Sequence, residues 1–181
     1  MFWEEKRRIL QEYDLMASGY DRLYSREQMQ KYETVKSLPI DSPALDCGCG
    51  TGLLLKVASS RLQFAVGVDF SIGMLTEAKK ALRQQKNCDL IQADTDHLPI
   101  RNRVFGTVLS FTLFQNVPSV GTALHEIARV SKENRILILS ALKKKISKDE
   151  FVRTLRQAGM KIENFFDQKD LRDYIGVCRQ A

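Results

Sequence analysis

A chain of 181 residues, 44% of them apolar and with nine Phe and one Trp, can bury one core and is too short for two full domains. That composition excludes a disordered chain, and no apolar run approaches the ~18–20 residues that cross a bilayer. The net charge of +6 is uneven, with fifteen basic against eight acidic side chains in residues 101–181, and favours an anionic partner only weakly.

The N-terminal "MFWEEKRRIL" is charged from its first residues and has no apolar signal core, so a cytoplasmic protein is expected. The segment up to Ser37 reads as helical and strongly charged, punctuated by Tyr13, Tyr20, Tyr24 and Tyr32. Residues 1–40 are expected to form a helical cap on residues 41–181, with no separate substrate domain. From residue 43, strand and helix patterns alternate. "PALDCG" is an apolar run ending in glycine, and "TGLLLKVASSRL" reads as a helix. "FAVGVDF" is a second strand. "SIGMLTEAKKALRQQK" places Ile72, Leu75, Ala78 and Leu82 at helical spacing behind Ser71 as N-cap. "CDLIQAD" and "GTVLSFT" are strands, "SVGTALHEIARV" is a helix capped by Ser119, and "RILILSAL" is a fifth strand. "SKDEFVRTLRQAG" opens on a Ser147–Glu150 capping box and closes on Gly159. Two β segments follow, "KIENFFD" and "DYIGVCRQ". This alternation predicts an α/β, Rossmann-like, doubly wound sheet, seven-stranded and mostly parallel, with helices on both faces.

The densest signal is Gly48-Cys49-Gly50-Thr51-Gly52, the turn after the first strand, with Asp46 two residues ahead of Gly48. In a doubly wound sheet the ligand sits beyond the carboxyl ends of the strands, and glycine lets it approach the backbone. The second strand ends in Asp69, from which a carboxylate can accept hydrogen bonds from both hydroxyls of a ribose. The third is expected to end in Asp94, within reach of an adenine amino group. NAD is a weaker candidate, because its fingerprint is G-x-G-x-x-G and a dehydrogenase needs a catalytic half that is missing here. Cys47 and Cys49 lack a metal-ligand spacing, so no metal is expected. They are read, with Cys88 and Cys178, as reduced, packed thiols.

Four stretches, "LDCGCGTG", "VGVDFSIGMLTEAKK", "QADTDHLPI" and "ALHEIARVSKENRILIL", resemble the class I S-adenosylmethionine-dependent methyltransferases. Within them the quinone-biosynthesis type is nearest. The likeness covers roughly residues 13–141 and includes "YDLMASGYDRLY", similar to that group's A-x-x-YD segment. It implies S-adenosylmethionine as cofactor. Asp46 would hold the methionine ammonium, and Gly48, Gly50 and Gly52 would line the methionine and ribose. Asp69 would bind the ribose, Phe70 and Met74 would flank the adenine, and Asp94 and Thr95 would address its edge. Phe111 and Thr112 would face the sulfonium, and Tyr20 would close over the cofactor. Two departures stand out: Gly106 where an Asp is common, and "SKEN" in place of a Pro-Gly-Gly turn, with Asn134 able to supply a left-handed residue.

Methyl transfer from a sulfonium needs alignment and a dry pocket more than a dedicated base. None announces itself: His97 and His125 read as surface or structural residues. Gln115 and Asn116, in "LFQNVP", are candidates for orienting a substrate or for capping the next helix. Lys143, Lys144 and Lys145 follow the fifth strand, and serve either as a phosphate track or as plain solubilising charge. The acceptor is therefore read as an RNA, such as tRNA or rRNA, or a small metabolite, with an activating protein partner worth testing for. The second reading is a catalytically idle cofactor-binding subunit of a complex.

Overall fold

Short, fully buried runs make the middle of the sheet, as parallel strands covered on both faces require. The computed structural model describes residues 2–180. In chain order it has α1 (Phe2–Met16), α2 (Tyr20–Val35), β1 (Ala44–Cys47), α3 (Leu53–Ala58), β2 (Ala65–Asp69), α4 (Ile72–Ala81) and β3 (Cys88–Gln92). There follow β4 (Phe105–Ser110), α5 (Val120–Val130), β5 (Ser131–Leu142), α6 (Lys148–Gln157), β6 (Met160–Phe166) and β7 (Asp173–Gln180). The strands lie in the order β3-β2-β1-β4-β5-β7-β6. Pairing is parallel from β3 through β5, and β7 runs antiparallel to both of its neighbours. The expected α/β architecture is the one observed. Among the described residues no helix is long and apolar enough to cross a membrane.

Alternate residues of the strands feed two faces. Leu45, Val108 and Leu139 pack with Leu124 and Ile127 of α5 and Phe151 and Leu155 of α6. Leu109 and Ile138 pack with Val35 of α2 on the other face, and Ala44 and Ala65 with Leu55 of α3 and Leu75 of α4. The expected caps are in place: Ser71, Ser119 and Ser147 each accept from the backbone N–H three residues on, and Gly159 takes φ +73 past the end of α6. One expectation fails in α4. Met74, Leu75, Ala78 and Leu82 form its buried face, whereas Ile72 is 54% exposed. At ~100° per residue Ile72 stands roughly a quarter-turn from the centre of that stripe.

Both departures from the family pattern have local causes. A Cβ on Gly106 would lie 2.8 Å from Asp41 Cβ, so the close pass of the preceding loop requires glycine. Asn134 takes φ +55, the left-handed turn expected of it, inside a β5 that starts earlier than the pattern suggests.

Sheet order fixes the ligand crevice. β2 lies on one side of β1 and β4 on the other, so the loops after β1 and β4 diverge there. The register pairs Asp46 with Gly67 and Cys47 with Val68, which brings the tips of β1 and β2 level. A Cβ on Gly67 would meet Leu55 at 2.6 Å and Cys49 Sγ at 2.9 Å.

The N-terminal helices dock through buried polar groups. Lys31 of α2 has a fully buried side chain, with its Nζ 3.0 Å from Asp173 Oδ2 of β7 and 3.3 Å from Glu27 Oε1. It also donates to Thr112 Oγ1. Ser140 Oγ donates to the same Asp173 oxygen at 2.7 Å. Removing one member of such a pair strands a charge in the core. Lys31→Met is expected to lower stability by about 3–5 kcal/mol in chemical denaturation, and joint apolar replacement of Lys31 and Asp173 to recover part of it. An unchanged midpoint for Lys31→Met would remove this clamp from the account.

Candidate functional site at the tips of the first four strands

The turn after β1 folds over the β2 tip because three of its residues are left-handed: Gly48 at φ +79, Gly50 at +52 and Gly52 at +73. Gly48 and Cys49 both donate their backbone N–H to the Val68 carbonyl. Gly50 N–H donates to Asp69 Oδ2 at 2.8 Å, and Ser71 N–H to Asp69 Oδ1 at 2.9 Å. A Cβ on Gly50 would meet no atom within 4 Å. It would project into the open space of the pockets that Gly50 lines.

Two adjoining pockets lie along these tips. The larger of the two is lined by Gly48, Gly50, Asp69, Phe70, Asp94, Thr95, Phe111, Thr112 and Asn116. The smaller shares Tyr20, Gly48, Gly50 and Phe111 with it and reaches Asp46. Asp69 and Asp94 thus line one pocket, and Asp46 the one that adjoins it. Asp94 lies two residues past the end of β3, not within it.

Met74 and Gly52 are not brought to the cleft. Met74 is fully buried in the α4 core. A Cβ on Gly52 would stand 3.1 Å from Ala78 Cβ and 3.2 Å from Leu82 Cδ1, so this glycine serves the packing of α3 against α4. Gln115 also turns away: its Nε2 donates to the Thr112 carbonyl at 2.7 Å and its Oε1 is buried. Of the three lysines, Lys143 is bound to Asp167 at 2.9 Å and to the Gln168 carbonyl at 2.7 Å, and lies 5.3 Å from the Tyr174 ring centre. Lys144 and Lys145 are exposed, as are His97 and His125.

Among the described residues, Asp46 and Asp69 are held without a countercharge. Asp46 is 2% exposed, and its Oδ2 has no hydrogen-bond partner. Burial, and then the nearby Asp69, push its carboxyl up to about 8. Burial also raises Asp69, against the pull of the backbone N–H groups of Ser71, Gly50 and Phe70. The four cysteines are free, and burial pushes the Cys47 thiol up to about 12, which keeps it unreactive.

Several residues that sequence reasoning passed over complete the site. Lys6 Nζ bridges Asp94 Oδ2 at 2.5 Å and Asp96 Oδ2 at 2.6 Å. Burial lowers its pKa, but the two carboxylates outweigh that and raise it. Asp14 Oδ1 accepts from Ser71 Oγ at 2.5 Å and from Gly73 N–H at 2.9 Å, at the start of α4. Thr51 Oγ1, in the glycine turn, donates to Asp21 Oδ1 at 2.5 Å. Asn116 Nδ2 donates to Tyr13 Oη at 2.6 Å. The legible signal was the spacing of Lys6, Ile9, Leu10 and Tyr13, one face of α1 and all on the cleft.

The methyltransferase-domain family model matches residues 45–139, just over half of the chain. The chain belongs to the class I S-adenosylmethionine-dependent methyltransferase family. S-adenosylmethionine is the cofactor of that family. An uncharacterised protein of Methanocaldococcus jannaschii is 33% identical over 75% of this chain and 52% of its own length. The demethylmenaquinone methyltransferase of Bacillus licheniformis is 30% identical over 69% of this chain and 55% of its own. The chain thus spans roughly half of the curated relatives it matches here. Among solved structures, a SAM-dependent methyltransferase from Aquifex aeolicus superposes with a TM-score of 0.80 at 16% identity, covering 93% of this chain and 98% of that one. The complex of the Haloferax volcanii Trm112 methyltransferase activator with a methyltransferase gives 0.79 at 18%, covering 93% and 97%. Both show the same fold.

The orphaned Oδ2 of Asp46 and the open space beside Gly50 fit a cationic nucleoside of this methyltransferase family. The acids also set a pH signature with a definite sign. Between the ordinary carboxyl range and about 8, folded Asp46 keeps a proton that the unfolded chain has lost. Its contribution to stability is complete below about pH 4 and is lost as the pH rises through about 8. Thermal denaturation of the ligand-free protein from pH 4 to 9 is expected to show this decline in the wild type and a flatter profile in Asp46→Asn. Parallel profiles would contradict the burial of an uncompensated carboxyl.

Proposed function

We propose that the chain transfers the methyl group of S-adenosylmethionine to an acceptor seated across the cleft from the glycine turn. Asp46, with its unpartnered buried oxygen, would hold the methionine ammonium. Gly48 and Gly50 would lie against the amino-acid and ribose parts, and Asp69 would accept from the ribose hydroxyls with the lone pairs its two backbone donors leave free. Phe70 would flank the adenine, Asp94 and Thr95 would meet its edge, and Phe111 and Thr112 would flank the reacting carbon. Tyr20 would close the side of the cleft, and residues 1–40 would act as a cap on residues 41–181. When bound, the cofactor supplies the electrophilic methyl group. The protein's part is to orient both reactants and exclude water.

The single observation that supports this reading is that Asp69 and Asp94 line one pocket at the switch point of the sheet and Asp46 lines the pocket adjoining it. An RNA and a small metabolite both remain acceptors that the sequence supports. An activating protein partner is supported by the Haloferax structural neighbour, which was solved with a methyltransferase activator. A cytoplasmic location is part of the same proposal.

Calorimetry tests it. S-adenosylhomocysteine is expected to bind and NAD to give no heat. Asp69→Asn is expected to weaken the first by roughly 10- to 100-fold, the value of hydrogen bonds to a charged acceptor. Heat from NAD with silence from S-adenosylhomocysteine would overturn the assignment.

A further inference from the structure

We propose that the part of the cleft between α1 and residues 113–118 is the acceptor subsite, and that it takes an uncharged small molecule that accepts a hydrogen bond from Tyr13. This rests on the methyl-transfer reading above and adds the acceptor's chemistry to it.

Its walls are apolar: Ile9 and Leu10 from α1, and Leu113, Val117 and Pro118 from the loop after β4. Lys6 is the one Lys or Arg side chain lining that cleft. It is held by Asp94 and Asp96, so a phosphate entering there finds no free cation. Lys143, Lys144 and Lys145 do not line the cleft. An anionic acceptor, or the backbone of a nucleic acid, would lose its hydration against these walls with nothing to replace it, and a cationic one would find no carboxylate among Ile9, Leu10, Leu113, Val117 and Pro118.

One polar handle is fixed in this apolar setting. The Thr112 carbonyl can only accept, so it determines which way the Asn116 amide faces: Nδ2 donates to it at 3.0 Å. The same Nδ2 donates to Tyr13 Oη at 2.6 Å. With Tyr13 oxygen already accepting, its own proton is left to give to a ligand. Burial, and then the nearby Asp69, push the Tyr13 phenol up to about 12, so that proton is retained at neutral pH. Thr112 is itself locked, in the left-handed region at φ +60, by bonds from Lys31 and to Asp173 and Ser140. A β-branched residue is seldom found there. The orientation of the handle therefore traces back to the buried ion pair.

In the step this subsite serves, a lone pair on an acceptor N–H or O–H forms the new bond to the methyl carbon. The carbon–sulfur bond breaks with its electron pair going to sulfur. The product is a neutral thioether, and the acceptor proton leaves to water. Tyr13 holds a second atom of the acceptor, a carbonyl or ether oxygen, and so sets which lone pair faces the methyl carbon.

The test uses the full chain with S-adenosylmethionine labelled in its methyl group, incubated with extract of the source cells and then partitioned. Label is expected in the fraction that organic solvent extracts at neutral pH and that resists nuclease and protease. Tyr13→Phe is expected to reduce that label roughly tenfold, the loss of one buried hydrogen bond, with a clearly smaller loss of S-adenosylhomocysteine binding. Val117→Asp, which charges the wall and leaves Tyr13 in place, is expected to reduce it as well. Label in nuclease-sensitive or protease-sensitive material would overturn the proposal, and so would full labelling by Tyr13→Phe. S-adenosylhomocysteine binding with no label in any fraction would also overturn it, in favour of an idle subunit. Failure to bind S-adenosylhomocysteine at all would instead overturn the cofactor reading on which the proposal stands.

Discussion

Two carboxylates, the buried Asp46 and the half-buried Asp69, lie near each other at the ends of adjacent parallel strands, and neither forms an ion pair among the described residues. Such an arrangement costs stability unless something else supplies the positive charge. The fold nonetheless enforces it. The β1–β2 register puts Asp46 opposite Gly67, where a Cβ would press on Leu55 and Cys49. The turn then delivers the Gly50 N–H to Asp69. A cationic ligand, such as the cofactor proposed above, would offset that cost.

The N-terminal helices are tied to all four strand tips by polar contacts. Asp21 bonds to the turn after β1, Asp14 to the start of α4 after β2, Lys6 to the acids after β3, and Lys31 and Tyr13 to the loop after β4. Every one of these contacts joins a residue of α1 or α2 to a residue in or beside the cleft. Seating of the cap and shape of the site are therefore one equilibrium: a ligand group that reaches Asp94 meets an oxygen already bonded to Lys6. The Lys31–Asp173 pair is the deepest of these ties, and it fixes Thr112 in a backbone conformation that a threonine adopts only under constraint.

Much of the fold was legible because each signal was local. Short apolar runs, period-3.6 apolar patterns, serine caps and Gly159 marked the order and type of the elements, and with them the end of the sheet where a ligand fits. Asp69, Gly48 and Gly50 could be placed at that edge of the sheet because strand ends and glycines mark themselves. Gly52 and Met74 were misplaced for a common reason: motif position says a residue is near the ligand, but whether it faces the ligand or the next helix depends on packing between α3 and α4. Lys31 and Asp173 were invisible because they are far apart in the chain. A lysine in a charged amphipathic helix carries no mark that its ammonium will be buried against a carboxylate more than a hundred residues away. Lys143 shows the reverse: three consecutive lysines read as one cationic edge, yet Asp167 and Tyr174 take the first of them.

The central claim, that a protonated, buried Asp46 waits for the cofactor's ammonium, has a direct thermodynamic signature. Calorimetric titration with S-adenosylhomocysteine at pH 7, in buffers of different ionisation enthalpy, counts the protons exchanged on binding. With its carboxyl at about 8, Asp46 carries most of a proton before the ligand arrives and loses it when an ammonium pairs with it. The account predicts release of close to one proton in the wild type and almost none in Asp46→Asn. Binding of the same ligand to the wild type without proton release would contradict it.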